Sequence, residues 1–221
     1  MIVENVAALR NAVNHKQVTI VAVTKTQPVE RIREAVNAGL TVLGENRVQE
    51  AAEKVPALAG LPVEWHLIGH LQTNKVKQAV ALFSLIQSVD SLKLAAEIDR
   101  QARLAGKIQD VLLQINVAGE ESKFGIDPAD AVSLTSAMEA LPNIRLCGLM
   151  TIAPFFAEAE QTRPIFRQTK QLYDQLKQSV AKPEQFCRLS MGMTHDYAVA
   201  IEEGANMIRV GSGIFGERTT R

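Results

Sequence analysis

Eight short apolar runs, each followed by a longer amphipathic stretch, succeed one another along this chain of 221 residues. They are VTIVAVTK (18–25), LTVLGE (40–45), VEWHLIG (63–69), LFSLIQSV (82–89), DVLLQINV (110–117), IRLCGLMTI (144–152), QFCRLSM (185–191) and NMIRVG (206–211). Most are continuously apolar and do not alternate, which is the pattern of strands covered on both faces. Such strands run parallel and need long crossover connections, which the amphipathic stretches supply. Eight strand–helix units predict an α/β fold, a single (β/α)8 TIM-type barrel with an extra N-terminal helix. An open doubly wound sheet is the competing arrangement.

Helix signals support the alternation. Ile2, Val6, Leu9 and Val13 form one helical stripe within residues 1–15. Pro28 opens the helix after the first strand and Gly39 closes it. Asp127-Pro128 reads as an N-cap followed by proline at the first helical position. Pro164 begins a stripe of Ile165, Phe166, Thr169, Leu172, Tyr173 and Leu176, and Gly204 ends the helix after the seventh strand. Only GSGIFGERTTR follows the eighth strand, so the last helix is nearly missing and the N-terminal helix is expected to cover that face. No linker breaks the pattern, which reads as one domain over residues 1–221.

Charge and cysteine content narrow the function. Lys plus Arg and Asp plus Glu are both 24. Zero net charge argues against a nucleic-acid or membrane-surface role, though a small anion needs only local donors. Cys147 and Cys187 lie in apolar runs without metal-ligand spacing and read as buried free thiols. No signal-peptide pattern opens the chain, and no apolar run approaches the ~20 residues of a membrane span. A cytoplasmic, soluble protein is expected.

Several residues could carry chemistry. Lys25 ends a buried strand on the same face as Val21 and Val23. It is either an ordinary lysine reaching the surface or an amine at the C-terminal mouth, where barrel sites are built. In LSMGMTHD (189–196), Ser190 and Thr194 are hydroxyls at a turn, Thr194 is a candidate N-cap, and Gly192 would let backbone approach a ligand. In IRVGSGIFGER (208–218), Gly211, Ser212 and Gly213 offer backbone donors and a hydroxyl. Barrels frequently bind phosphate with the loops after strands seven and eight. Arg209 is a structural ion-pair partner or a charged contact for a ligand. Asn46 is a helix cap or a ligand contact. His66 and His70 are not at convincing metal spacing, Trp65 and Leu67 read as packing residues, and His195 as exposed.

Closing a barrel brings strand eight beside strand one, and so the lysine beside the anion loops. The implied ligand carries an aldehyde or ketone and a phosphate: pyridoxal phosphate (PLP), or a phosphosugar in a Schiff-base aldolase.

The blocks VAVTKTQP (21–28), LGENRVQE (43–50), EWHLIGHLQTNK (64–75), CGLMTI (147–152), LSMGMTHD (189–196) and IRVGSGIFGER (208–218) resemble, in order, those of the pyridoxal-phosphate homeostasis proteins, single-domain relatives of the alanine racemase barrel. The resemblance implies that Lys25 holds PLP as an aldimine. It implies that Ser190, Thr194, Gly211 and Ser212 hold the phosphate, that Asn46 lies beside the ring, and that Arg209 faces the pyridine nitrogen. An arginine there restrains carbanion chemistry, because it disfavours the protonated ring. The racemases of this superfamily take a second acid/base, a tyrosine, from an additional domain. Here Tyr173 and Tyr197 fall inside expected helices. The expected role is a monomeric, non-catalytic PLP carrier in vitamin B6 and amino/keto-acid homeostasis, with apo-enzymes as recipients. A PLP-dependent racemase-like enzyme is the alternative.

Overall fold

The computed structural model describes residues 1–13, 17–120 and 124–217. Eight parallel strands close into a barrel in chain order: β1 (Thr19–Val23), β2 (Val42–Glu45), β3 (Glu64–Leu67), β4 (Leu85–Val89), β5 (Gln109–Ile115), β6 (Ile144–Thr151), β7 (Arg188–Met193) and β8 (Met207–Val210). β8 pairs back onto β1, with Val21 opposite Arg209. All eight expected strands are present, and the open-sheet alternative is excluded by that closure.

The helices are α1 (Ile2–Val13), α2 (Val29–Asn37), α3 (Val48–Ala57), α4 (Val76–Leu82), α5 (Leu92–Leu104), α6 (Ala131–Glu139), α7 (Arg163–Ser179), α8 (Tyr197–Glu202) and α9 (Ser212–Phe215). Their ends follow side-chain chemistry. Ser91 accepts from the Leu94 N–H at 3.3 Å and caps α5. Asp127 accepts from the Ala129 N–H at 2.8 Å, and a 3₁₀ turn over Pro128–Asp130 leads into α6. α9 is four residues long. The N-terminal helix covers the space this leaves: Ile2, Val6, Leu9 and Val13 are buried, and α1 packs on α9 and α2. Asn5 Nδ2 donates to the Ile214 carbonyl at 3.0 Å. Each such apolar side chain contributes about 1.5–3 kcal/mol on burial. Residues 14, 15 and 218–221, on which parts of the expected first helix and the final motif fall, lie outside the described residues.

Two apolar clusters make up the core. The larger lies between strands and helices and includes Trp65, Leu67, Phe166 and Leu176. The smaller contains Val21, Ile68, Leu85, Leu112, Cys147, Met150 and Met207, with Val23 against it, and fills the barrel. Gly44 belongs to this interior: a Cβ there would come within 2.7 Å of Val21 Cγ1.

Two expectations are corrected. Cys147 is buried, and burial pushes its thiol up to about 11. Cys187, however, is exposed. It falls between buried Phe186 and the first residue of β7, where alternation along the extended backbone turns it outward. Lys25 is the second correction. β1 ends at Val23, and the Gln27 N–H donates to the Thr24 carbonyl at 3.0 Å, closing a turn with Lys25 and Thr26 at its centre. Among the described residues no helix is long and apolar enough to cross a membrane, and no cluster of three His, Cys, Asp or Glu could hold a metal ion.

Candidate functional site

Lys25, Thr194, Arg209, Gly211 and Ser212 line one cleft at the C-terminal mouth of the barrel, with Phe155 and His195 beside them. Phe155 lies in the loop after β6, and the others come from the end of β1, β7 or β8 or from the loop that follows, so barrel closure assembles them from residues far apart in the chain.

Thr194 is not the cap of α8. That position belongs to Asp196, whose Oδ1 accepts from the Met193 N–H at 2.6 Å. The Thr194 hydroxyl instead accepts from the Gly211 and Gly213 N–H groups, at 3.3 Å each. It therefore ties the β7 loop to the β8 loop and marks a point where two backbone donors converge. A Cβ on Gly213 would come within 2.9 Å of Val210 Cγ1 and 3.1 Å of Thr194 Cγ2, so the loop needs glycine to draw this tight. Gly192, read as opening backbone to a ligand, has another reason. Its φ is +91°, and a Cβ would lie 2.5 Å from the Ala200 Cβ, so it lets α8 pack close to β7.

Arg209 is almost wholly buried. Nη1 donates to Ser190 Oγ and Nη2 to the Thr151 carbonyl, both at 2.7 Å. Both of these partners are neutral, and burial pulls its pKa down to about 10, against the weaker opposing pull of Asp196. It stays cationic at neutral pH, a desolvated charge held by neutral acceptors.

Ser190 is fully buried, and its hydroxyl donates to Gln87 Oε1 at 2.6 Å while accepting from Arg209. Gln87 Nε2 in turn lies 3.1 Å from His66 Nδ1. The hydroxyl expected at a phosphate thus sits beneath Arg209 in a chain of interior hydrogen bonds. Asn46 lines a neighbouring cleft with Arg47, Gln49, His70 and Lys75, and its Oδ1 is buried without a hydrogen-bond partner. Arg47, not Asn46, holds the cap position of α3. His195 is exposed, as expected, and its ring lies 5.2 Å from that of Phe155.

Sequence reasoning passed over Gln87 and the trio Glu45, Glu50 and Lys54. The signals exist. Gln87 is polar in the middle of an apolar strand. Lys54 follows Val48 and Ala51 at helical spacing on the buried face of α3, with Glu50 four residues before it. Lys54 Nζ contacts Glu45 Oε1 at 2.7 Å and Glu50 Oε1 at 2.6 Å. Burial pushes the Glu45 carboxyl up, against the pull of Lys54.

An amine, a pair of converging N–H donors and a buried guanidinium at the mouth of a (β/α)8 barrel make up a small-molecule site suited to an anionic ligand with a carbonyl group. The chain belongs to the family described as alanine racemase, N-terminal domain, whose profile matches residues 1–219. It is 48% identical over 201 residues to a pyridoxal phosphate homeostasis protein of Aquifex aeolicus, covering 90% of this chain and 86% of that protein. A protein of the same name from Pasteurella multocida is 39% identical, covering 97% of both. Among solved structures, PipY of Synechococcus elongatus with PLP bound superposes with a TM-score of 0.90 at 40% identity, covering 98% of this chain and 100% of that one. An alanine racemase of Clostridium difficile shares the fold at 19% identity, with a TM-score of 0.77 over 98% of this chain and 61% of that one.

Proposed function

We propose that this protein binds PLP in the Lys25 cleft and serves as a non-catalytic carrier in vitamin B6 homeostasis. The observation that carries the reading is the convergence of the Gly211 and Gly213 N–H groups on Thr194 Oγ1, in the same cleft as Lys25. Bonds of 3.3 Å to a neutral hydroxyl are long, and a phosphate oxygen is a stronger acceptor for such donors. The unpartnered Asn46 Oδ1 fits as well, since a buried acceptor without a donor is costly.

When bound, the cofactor supplies an aldehyde that a primary amine captures reversibly. Lys25 provides the amine. Thr194, Gly211 and Ser212 would hold the phosphate, and Asn46, which lines the adjoining cleft, would be the ring-side residue. Arg209, held by Ser190 and the Thr151 carbonyl, would face the ring nitrogen as a donor. A donor at that nitrogen leaves it unprotonated, which restrains the electron withdrawal that amino-acid chemistry requires. The two tyrosines support the same conclusion. Tyr173 is buried with its hydroxyl on the Phe186 carbonyl, and Tyr197 packs in α8 beside Gly192. Neither lines the cleft, so a racemase-like reading has no tyrosine to move a second proton.

The free state of both cysteines fits a cytoplasmic protein, and the reading is of a monomer that hands PLP to apo-enzymes. Titration of purified protein with PLP tests it: a saturable 1:1 change in cofactor absorption is expected. Amino acids incubated with the loaded protein in D2O are expected to keep their α-hydrogen. Rapid exchange dependent on Lys25 would establish the enzyme instead.

A further inference from the structure

Lys25 sits at the second position of the turn closed by the Gln27 N–H and the Thr24 carbonyl. The third position is Thr26, with φ +63°. A β-branched side chain in the left-handed region is strained, and turns that need a positive φ there favour glycine. Such conformations persist where the surroundings fix them.

Here the surroundings are an ion cluster from β2 and α3. Lys54 Nζ donates to the Thr24 carbonyl at 2.7 Å and pairs with Glu45 and Glu50. The Thr24 hydroxyl donates to Glu45 Oε1 at 2.6 Å, and the Thr26 N–H donates to Glu50 Oε1. The residues on both sides of Lys25 are therefore bound to one cluster, and all three ammonium donors of Lys54 are used. Lys54 and Glu45 are buried. Burying ions merely to fill space between a helix and a strand is a poor solution, since apolar side chains of similar volume do it at less cost. The cluster makes sense if its geometry is needed.

We propose that Lys54 is a positioning residue which, together with Glu45 and Glu50, locks the 24–27 turn so that the Lys25 amine is presented to the cleft. The inference rests on the reading that Lys25 captures PLP. Lys54 itself does not line the cleft.

The test compares PLP with pyridoxine 5'-phosphate, which has the same ring and phosphate but an alcohol in place of the aldehyde. Lys54→Met and Glu50→Ala are expected to slow capture of PLP by about tenfold or more, as misplaced nucleophiles do. They should leave the Kd for pyridoxine phosphate within about twofold, as for sites without shared partners. Thr26→Gly, which removes the strain, should restore capture in the Lys54→Met background. Equal loss of both ligands, capture at the wild-type rate, or no rescue by glycine would overturn the proposal. If Lys54→Met does not fold by circular dichroism, Glu50→Ala, whose side chain is 23% exposed, carries the comparison alone. Wild-type protein that captures no PLP overturns the ligand reading and this inference with it. Wild-type capture with unaltered variants overturns this inference only.

Discussion

Arg209 Nη1 donates to Ser190 Oγ at 2.7 Å, inside the barrel and beneath the cleft. The same hydroxyl donates to Gln87, so its hydrogen and a lone pair are both committed. Ser190→Ala would leave Gln87 Oε1 without a donor and Arg209 with one acceptor fewer. Denaturant unfolding should show a loss of about 1–3 kcal/mol, the cost of orphaning buried polar groups. Competition by inorganic phosphate should be unchanged in that variant. Weaker phosphate binding with unaltered stability would put Ser190 in the phosphate cradle after all.

Thr194 lines the cleft, where its hydroxyl meets two backbone donors. Thr194→Val keeps the shape of the side chain and removes the acceptor shared by Gly211 and Gly213. The two loops lose their tie and the phosphate loses the hydroxyl as a donor, so affinity for inorganic phosphate and for PLP should fall by about tenfold, equivalent to ~1.4 kcal/mol. Competition titration measures it, and unchanged or tighter phosphate binding would contradict the loop assignment.

His66 predicts a pH dependence. It is fully buried, with Nδ1 on Gln87 and Nε2 3.7 Å from Glu64, beyond hydrogen-bond reach. Burial lowers its pKa from the ordinary 6.5, more strongly than Glu64 raises it. Below about 6.5 the unfolded chain takes up a proton that the native protein does not. The unfolded state then binds more protons, so stability falls as pH falls, by at most ~1.4 kcal/mol per pH unit. Glu45, raised by burial, acts in the opposite sense, so the informative quantity is the difference between wild type and His66→Gln. Unfolding free energies from pH 7 to 5 should show a steeper decline in wild type, and parallel curves would contradict a neutral buried His66.

Much of this was legible in the sequence because it depends on local pattern. Continuously apolar runs between amphipathic ones state how strands are covered, and eight of them leave few closed solutions. The stripe of Ile2, Val6, Leu9 and Val13 and the cap at Asp127 are likewise local. The placement of Lys25, Thr194, Arg209, Gly211 and Ser212 around one cleft followed from barrel closure alone. What escaped was pairwise. Nothing near Ser190 in sequence announces that its hydroxyl meets Gln87, 103 residues away, or that Thr194 would serve the next loop instead of its own helix. The Lys54 cluster joins residues from a turn, a strand and a helix, and Thr26 gives no sign of a positive φ because threonine disfavours one. Cys187 was misread because an apolar neighbourhood does not say which face a single residue takes.

The proposed function requires that the amine of Lys25 capture the aldehyde of PLP. Borohydride reduction of protein incubated with PLP, followed by tryptic digestion and mass mapping, tests it most directly. A modified lysine resists trypsin, so a pyridoxyl group is expected on an uncleaved peptide covering residues 17–31, and none on that peptide in Lys25→Ala. That variant should still bind PLP weakly through the phosphate loops. A pyridoxyl group found only on other lysines, or on none, would exclude Lys25 as the amine that captures PLP.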